Sequence, residues 1–113
     1  MFKFLIISLN HMKLWEILIP KYSNEKELFS ETHHDKWRLR VLEMTSGLTQ
    51  LDQVKGYWVH NKKTYIEDMI PIRVICNDTN VEKIIEETIT HYDQKAVLAY
   101  VISSEVKLEY DCD

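Results

Sequence analysis

"GYWVHNKKTYIEDMIPIRVIC", residues 56–76, is the stretch that organises the chain. Two β-prone arms flank Asn61-Lys62, and a two-residue loop of this kind closes a hairpin between antiparallel strands. The arms extend outward to give one strand over Leu48–His60, irregular near Asp52–Lys55, and another over Thr64–Cys76. A two-residue turn fixes the register: Trp58 faces Tyr65, Tyr57 faces Ile66 and Gly56 faces Glu67. Alternation then puts Gly56, Trp58, Tyr65 and Glu67 on one face, and a glycine opposite a carboxylate leaves a gap there.

Upstream, Leu14–Ile19 is a short apolar run ended by Pro20, which reads as a strand. Lys21–Thr32 is polar and charged and reads as a surface loop. A helix follows from Thr32 or His33 to Thr45, with Trp37, Val41 and Met44 at helical spacing and Gly47 as its stop. Downstream of the hairpin, Asn77-Asp78-Thr79-Asn80 is a turn that caps a second helix over Val81–Tyr92. In that helix Val81, Ile84, Ile85, Thr88 and Tyr92 form one stripe, and Glu82, Lys83, Glu86 and Glu87 lie outside it. Ala96–Ile102 is a further strand, and Val106–Tyr110 a terminal one.

The order is β-α-β-β-α-β with a tail strand. This predicts an α+β, ferredoxin-like sandwich: an antiparallel sheet, two helices on one face and an extra terminal strand. Residues 12–113 form that single domain. Residues 1–11, MFKFLIISLNH, read either as an extra edge strand or as an extension ahead of a natural first strand at "MKLWEILIP". They lack the cleavage site of an export signal and are too short to span a bilayer. Leu14–Ile19 is apolar on both faces apart from Glu16, and Ala96–Ile102 is apolar on both. A sheet with two apolar faces and only two helices needs a second cover. The expected cover is another copy of the chain, with a homotrimer as the first choice.

The 113 residues suit one core. A net charge of −4 with well-mixed signs weighs against nucleic acid, which asks for a basic surface. No membrane partner is expected either. Cys76 and Cys112 have neither metal-ligand spacing nor a C-x-x-C pattern, so a buried inert thiol at Cys76 and a reducing cytoplasm are expected. His33-His34-Asp35 resembles a metal cluster, but neighbours on a helix point about 100° apart, and the pair reads as a helix start in solvent. No metal and no cofactor are expected. There is no nucleophile elbow and no phosphate-cradling loop, so a triad or metal hydrolase is disfavoured.

The remaining candidate is the hairpin face. Aromatic rings beside a carboxylate suit a cationic ligand, since ring faces attract the cation and the carboxylate pairs with an amine. The alternative is a solvent-facing ladder of aromatics and charges, and the residues alone leave both readings open.

A wider pattern bears on that choice. Gly47-Leu48, Gly56-Tyr57-Trp58, the acids ahead of "IRVIC", and "THYDQKAVLAY" together resemble the small phage enzymes that degrade S-adenosylmethionine (SAM), formerly called hydrolases and better described as lyases. Arg73, Cys76, Tyr92, Gln94 and Val97–Tyr100 match that family's pattern, and the resemblance covers roughly residues 36–102. It departs in three places. Asp68 rather than Glu67 aligns nearest the family's acid, Pro71 falls within the strand, and Trp58 sits beside the tyrosine the motif favours.

The resemblance implies a trimer with active sites between subunits. It also implies cleavage of SAM to methylthioadenosine and homoserine lactone, in which the substrate's own carboxylate attacks the carbon next to the sulfonium. By the same resemblance Glu67 would hold the substrate ammonium, with Tyr57 or Trp58 near the sulfonium or adenine. Asp68 and Glu105 would supply acidic groups or, for Glu105, contact the ribose, and Tyr65, on the hairpin face with Trp58 and Glu67, would line the same site. Two other classes stay open: a non-enzymatic trimer of this fold binding a nucleotide or small metabolite between subunits, and a protein that docks a different partner on its sheet face. An RNA-binding domain is the least favoured.

Overall fold

The structure is a computed structural model that describes residues 4–8 and 11–111. Its elements are β1 (Phe4–Ser8), β2 (Lys13–Pro20), α1 (Glu31–Leu42), β3 (Leu48–Gln50), β4 (Val54–His60), β5 (Lys63–Cys76), α2 (Asp78–Tyr92), β6 (Ala99–Ser103) and β7 (Lys107–Asp111). The main sheet runs β3-β5-β2-β6, with β4 also paired to β5, and every pairing is antiparallel. Counting β3 and β4 as one interrupted strand, this is the ferredoxin-like order expected from the sequence. The strands β1 and β7 pair with each other in a separate two-stranded ribbon. Cys112 lies outside the described residues.

The hairpin register is the one the two-residue loop dictates: Trp58↔Tyr65, Tyr57↔Ile66 and Gly56↔Glu67. Asn61 and Lys62 both take positive φ, 52° and 65°, as a hairpin turn matched to strand twist requires. Asparagine tolerates that region and lysine does not, so Lys62→Gly is expected to stabilise the chain by about 0.5–1 kcal/mol. A denaturation midpoint that stays put or falls would contradict this.

The break between β3 and β4 spans residues 51–53, and Pro71 explains it. Strand β5 runs unbroken through Pro71, whose carbonyl accepts from the Leu51 amide at 2.9 Å. The missing proline N–H therefore faces the same side, where the neighbouring strand is interrupted and asks for no donor.

Both helices lie on one sheet face. Ile17, Ile19, Ile72, Val74 and Cys76 from the sheet meet Trp37 and Val41 of α1 and Val81, Ile84 and Tyr92 of α2. The Trp37 indole N–H donates to the Thr88 hydroxyl at 2.9 Å, so the largest core side chain is also polar-satisfied. Both helix starts are capped as elementary chemistry prefers. Ser30 Oγ accepts from the His33 amide at 3.1 Å, and Asn77 Oδ1 from the Asn80 amide at 2.8 Å. The Asn77 cap starts α2 three residues earlier than the apolar stripe alone indicates. Burial pushes the Cys76 thiol up to about 11, with Asp78 adding to the effect, so it is an inert core group. Among the described residues, no helix is long and apolar enough to cross a membrane.

One expectation is overturned here. His34 is only 2% exposed, and its Nδ1 lies 2.6 Å from the Tyr92 hydroxyl. The same turn geometry that separates His33 from His34 puts His34 on the stripe of Trp37 and Val41, three and seven residues on. The pair is thus an interhelical element rather than a solvent-facing helix start. Among the described residues, no group of three or more histidines, cysteines or carboxylates is placed to hold a metal.

Candidate ligand site at the base of the hairpin

Strand β5 is 14 residues long, about 46 Å at ~3.3 Å per residue, against a longest molecular extent of 59 Å. Its second half lies in the sheet. Its first half, with β4, projects past the end of β2. Glu67 sits where the two halves meet, just beyond the Pro20↔Met69 pair. The face carrying Glu67 also carries Met69, Pro71, Arg73 and Ile75, so the hairpin face continues the sheet face that no helix covers.

At that junction the Trp58 indole N–H donates to a Glu67 carboxylate oxygen at 3.2 Å. The ring lies back over Gly56: a methyl group there would come within 3.2 Å of Trp58 Cζ2. The gap expected opposite Glu67 is therefore filled by Trp58 itself, because the missing side chain lets a large neighbour on the same strand fold across. Two clefts flank the carboxylate. One of about 370 Å³ is bounded by Pro20, Tyr22–Asn24, Lys26 and residues 66–69. The other, of about 270 Å³, is bounded by Trp58, Glu67, Met69 and residues 96–98. Glu67 and Met69 line both, whereas Asp68 lines only the first. The Asp68 carbonyl accepts from the Lys21 amide at 3.1 Å, which fixes the backbone at the rim.

The other expected site residues are placed less compactly. Tyr65 lies on the Glu67 face with the Lys63 ammonium 5.1 Å from its ring centre. Tyr57 points to the opposite face of the hairpin and is exposed. Glu105 follows β6, where Ser103 pairs with Leu14, six strand positions or about 20 Å from Pro20. Its amide and carbonyl bond the Ser103 hydroxyl at 3.2 and 2.8 Å. One chain thus puts Trp58, Tyr65 and Glu67 on one hairpin face, adds Asp68 at the larger cleft, and leaves Tyr57 and Glu105 apart from them.

A second constellation was not foreseen. Glu16, 7% exposed, accepts from Arg73 Nε at 3.1 Å and from the Tyr100 hydroxyl, at the centre of the uncovered face. The three occupy neighbouring strands in direct register, Glu16↔Arg73 and Glu16↔Tyr100. The available signal was a lone charge inside the apolar run "LWEILI", since a buried carboxylate demands a partner. Around it, Leu98, Tyr100 and Ile102 leave the edge of the sheet apolar and exposed. Replacing Arg73 with Met is expected to cost about 1–3 kcal/mol, below the usual range for a buried pair because the Arg73 side chain is 38% exposed. Adding Glu16→Gln should restore part of that loss. Equal urea midpoints for wild type and Arg73→Met would refute the pairing.

This architecture matches solved proteins. The periplasmic divalent cation tolerance protein CutA from Archaeoglobus fulgidus superposes with a TM-score of 0.63 at 13% identity, over 86% of this chain and 87% of that one. CutA from Xylella fastidiosa gives 0.63 at 16% identity, over 87% and 88%. A phage SAM lyase in complex with S-methyl-5′-thioadenosine gives 0.61 at 12% identity, over 90% and 89%. The fold is that of CutA and of the phage SAM lyase. At these identities the likeness concerns the backbone architecture, and the CutA and lyase structures match it almost equally well. No protein-family model matches the chain, and no curated protein sequence does.

Proposed function

We propose that the chain is a SAM lyase, acting in the cytoplasm as a homotrimer with its sites between subunits. The observation that carries this reading is Glu67: a carboxylate oriented by an indole N–H, lining two clefts at the edge of an uncovered sheet face. A site of this composition fits a substrate with an ammonium group and a sulfonium. Glu67 would pair with the ammonium, and the Trp58 and Tyr65 rings would lie near the sulfonium, which aromatic faces attract.

The reaction needs no group from the protein to form a bond. The substrate carboxylate attacks the methionine carbon next to sulfur, the carbon–sulfur bond breaks, and its electron pair leaves with methylthioadenosine. Homoserine lactone is the other product. The contribution of the chain is to hold the methionine portion curled so that carboxylate and carbon meet. Since Glu105 and Glu67 lie at opposite ends of one chain's sheet, a site using both requires Glu105 from a neighbouring copy. Incubation with SAM followed by chromatography is expected to show methylthioadenosine and homoserine lactone, from a species of trimer mass by light scattering. SAM left intact by a folded trimer would sink the lyase reading.

The equally good superposition on CutA supports a second reading, a non-enzymatic assembly that holds a nucleotide or small metabolite in the same clefts. Calorimetry separates the two: saturable binding of an adenosine ligand with no product formed favours the second.

A further inference from the structure

The interface between α1 and α2 carries a group of side chains that the proposed chemistry does not use. The His33 and His91 rings stack with centroids 3.9 Å apart, and Phe29 stacks on the other side of His33 at 4.8 Å. The two histidines exchange hydrogen bonds. His33 Nε2 lies 2.9 Å from the His91 carbonyl, and His91 Nε2 lies 2.6 Å from the His33 carbonyl. A carbonyl can only accept, so both Nε2 atoms carry protons. His91 Nδ1 lies 3.3 Å from an Arg40 guanidinium nitrogen, which can only donate, so Nδ1 is bare and the His91 ring is neutral.

The chain on either side of this stack forms the walls of the Glu67 clefts. His33 is in the first turn of α1, directly after the loop whose residues 22–24 and 26 wall the larger cleft. His91 is in the last turn of α2, just before residues 96–98, which wall the smaller one. A further tie, Asn24 Nδ2 to the Asp93 carbonyl at 2.8 Å, joins the same two segments. We propose that the His33–His91 stack is a proton-sensitive clamp that holds these two segments together and loosens when His91 takes up a second proton.

The geometry gives the sign. A proton on His91 Nδ1 would point at the Arg40 guanidinium, remove the bond that nitrogen accepts, and set an imidazolium against the His33 ring. Glu87 opposes this in part, but it is engaged by Arg40. The remaining ionisable neighbours are His34 and Tyr92 beside the stack, with Glu31 at the start of α1 and Arg38 farther along it. Burial acts in the same direction, holding both His91 and His34 below the ordinary 6.5. Groups held below their unfolded value bind the proton more weakly when folded. Their contribution is complete above about pH 6.5 and is lost as the pH falls from there toward the folded values.

Amide hydrogen exchange on the full chain tests the clamp, corrected for intrinsic rates, between about pH 8 and about pH 5.5. Exchange over residues 22–30 and 93–98 is expected to rise by at least about threefold on acidification, while 69–76 stays protected. His91→Gln keeps an N–H donor and cannot take a proton, so it should show at most the smaller rise that His34 contributes. A rise in His91→Gln equal to that of the wild type, or none in the wild type, would overturn the proposal. If His91→Gln does not fold, imidazole titration of the wild type by NMR decides: His91 titrating at or above 6.5 overturns the clamp, and below it supports the clamp. These readouts do not depend on what the clefts bind.

Discussion

Glu67→Gln is expected to lower kcat/KM for SAM cleavage by about a hundredfold or more while leaving the melting temperature within a degree or so. The two halves of this expectation have separate origins. Glu67 lies on the projecting part of β5 and is exposed, so the fold does not depend on its charge. Its carboxylate accepts from the Trp58 indole N–H, and an amide oxygen can still accept that bond. What the amide cannot do is pair with an ammonium, and a substrate no longer anchored at that end samples curled and extended shapes alike. Asp68→Asn provides the comparison. Asp68 lines only the larger cleft, so its neutralisation should weaken KM more than kcat. The reverse ranking, with Asp68→Asn the more damaging, would move the key acid to the position that the resemblance to phage enzymes aligns. Full activity in both variants would remove the carboxylates from the mechanism.

The largest effect on stability is expected at Trp37. Its side chain is 0% exposed and bridges α1 to α2 and the sheet, and its N–H is held by Thr88. Trp37→Ala should cost about 3–5 kcal/mol, a large part of the margin of about 5–15 kcal/mol that a small domain commands. Trp37→Phe keeps most of the apolar volume and loses the hydrogen bond, so about 1–3 kcal/mol is expected. The Thr88 hydroxyl retains its own bond to the Ile84 carbonyl at 2.6 Å, so no buried donor is stranded by either change. Equilibrium unfolding in urea measures both. An alanine variant within 1 kcal/mol of wild type would mean that the helices do not pack through this residue.

The sequence made the hairpin legible because everything in it is local. A two-residue loop leaves one register, and register settles which side chains share a face. The same holds for α2, whose apolar stripe and Asn77 cap are read within one segment. What escaped reading depends on partners far along the chain. His34 is buried because Tyr92, 58 positions away, supplies its hydrogen bond. Glu16 is tolerated in an apolar strand because Arg73 and Tyr100 arrive from two other strands. The interruption at residues 51–53 follows from Pro71 across the ladder. For the candidate site, the pairing of Trp58 with Glu67 was legible in outline. The clefts were not, because one wall comes from Pro20, residues 22–24 and Lys26, which carry no periodic signal, and the other from residues 96–98, which read as strand but lie ahead of β6. The Gly56 gap was misread because spacing says nothing about which rotamer a neighbouring indole adopts.

Placing Glu67 on the part of β5 that extends past β2 has an evolutionary consequence. That segment rests on no core of its own, so replacing a side chain between residues 56 and 67 perturbs little that the folded state depends on. Core positions such as Ile72 and Val74, on the same strand a few residues later, allow no such freedom. The polypeptide thus separates its tolerance for mutation along a single strand. Its recognition surface can be rewritten one residue at a time, and the scaffold that presents it need not change.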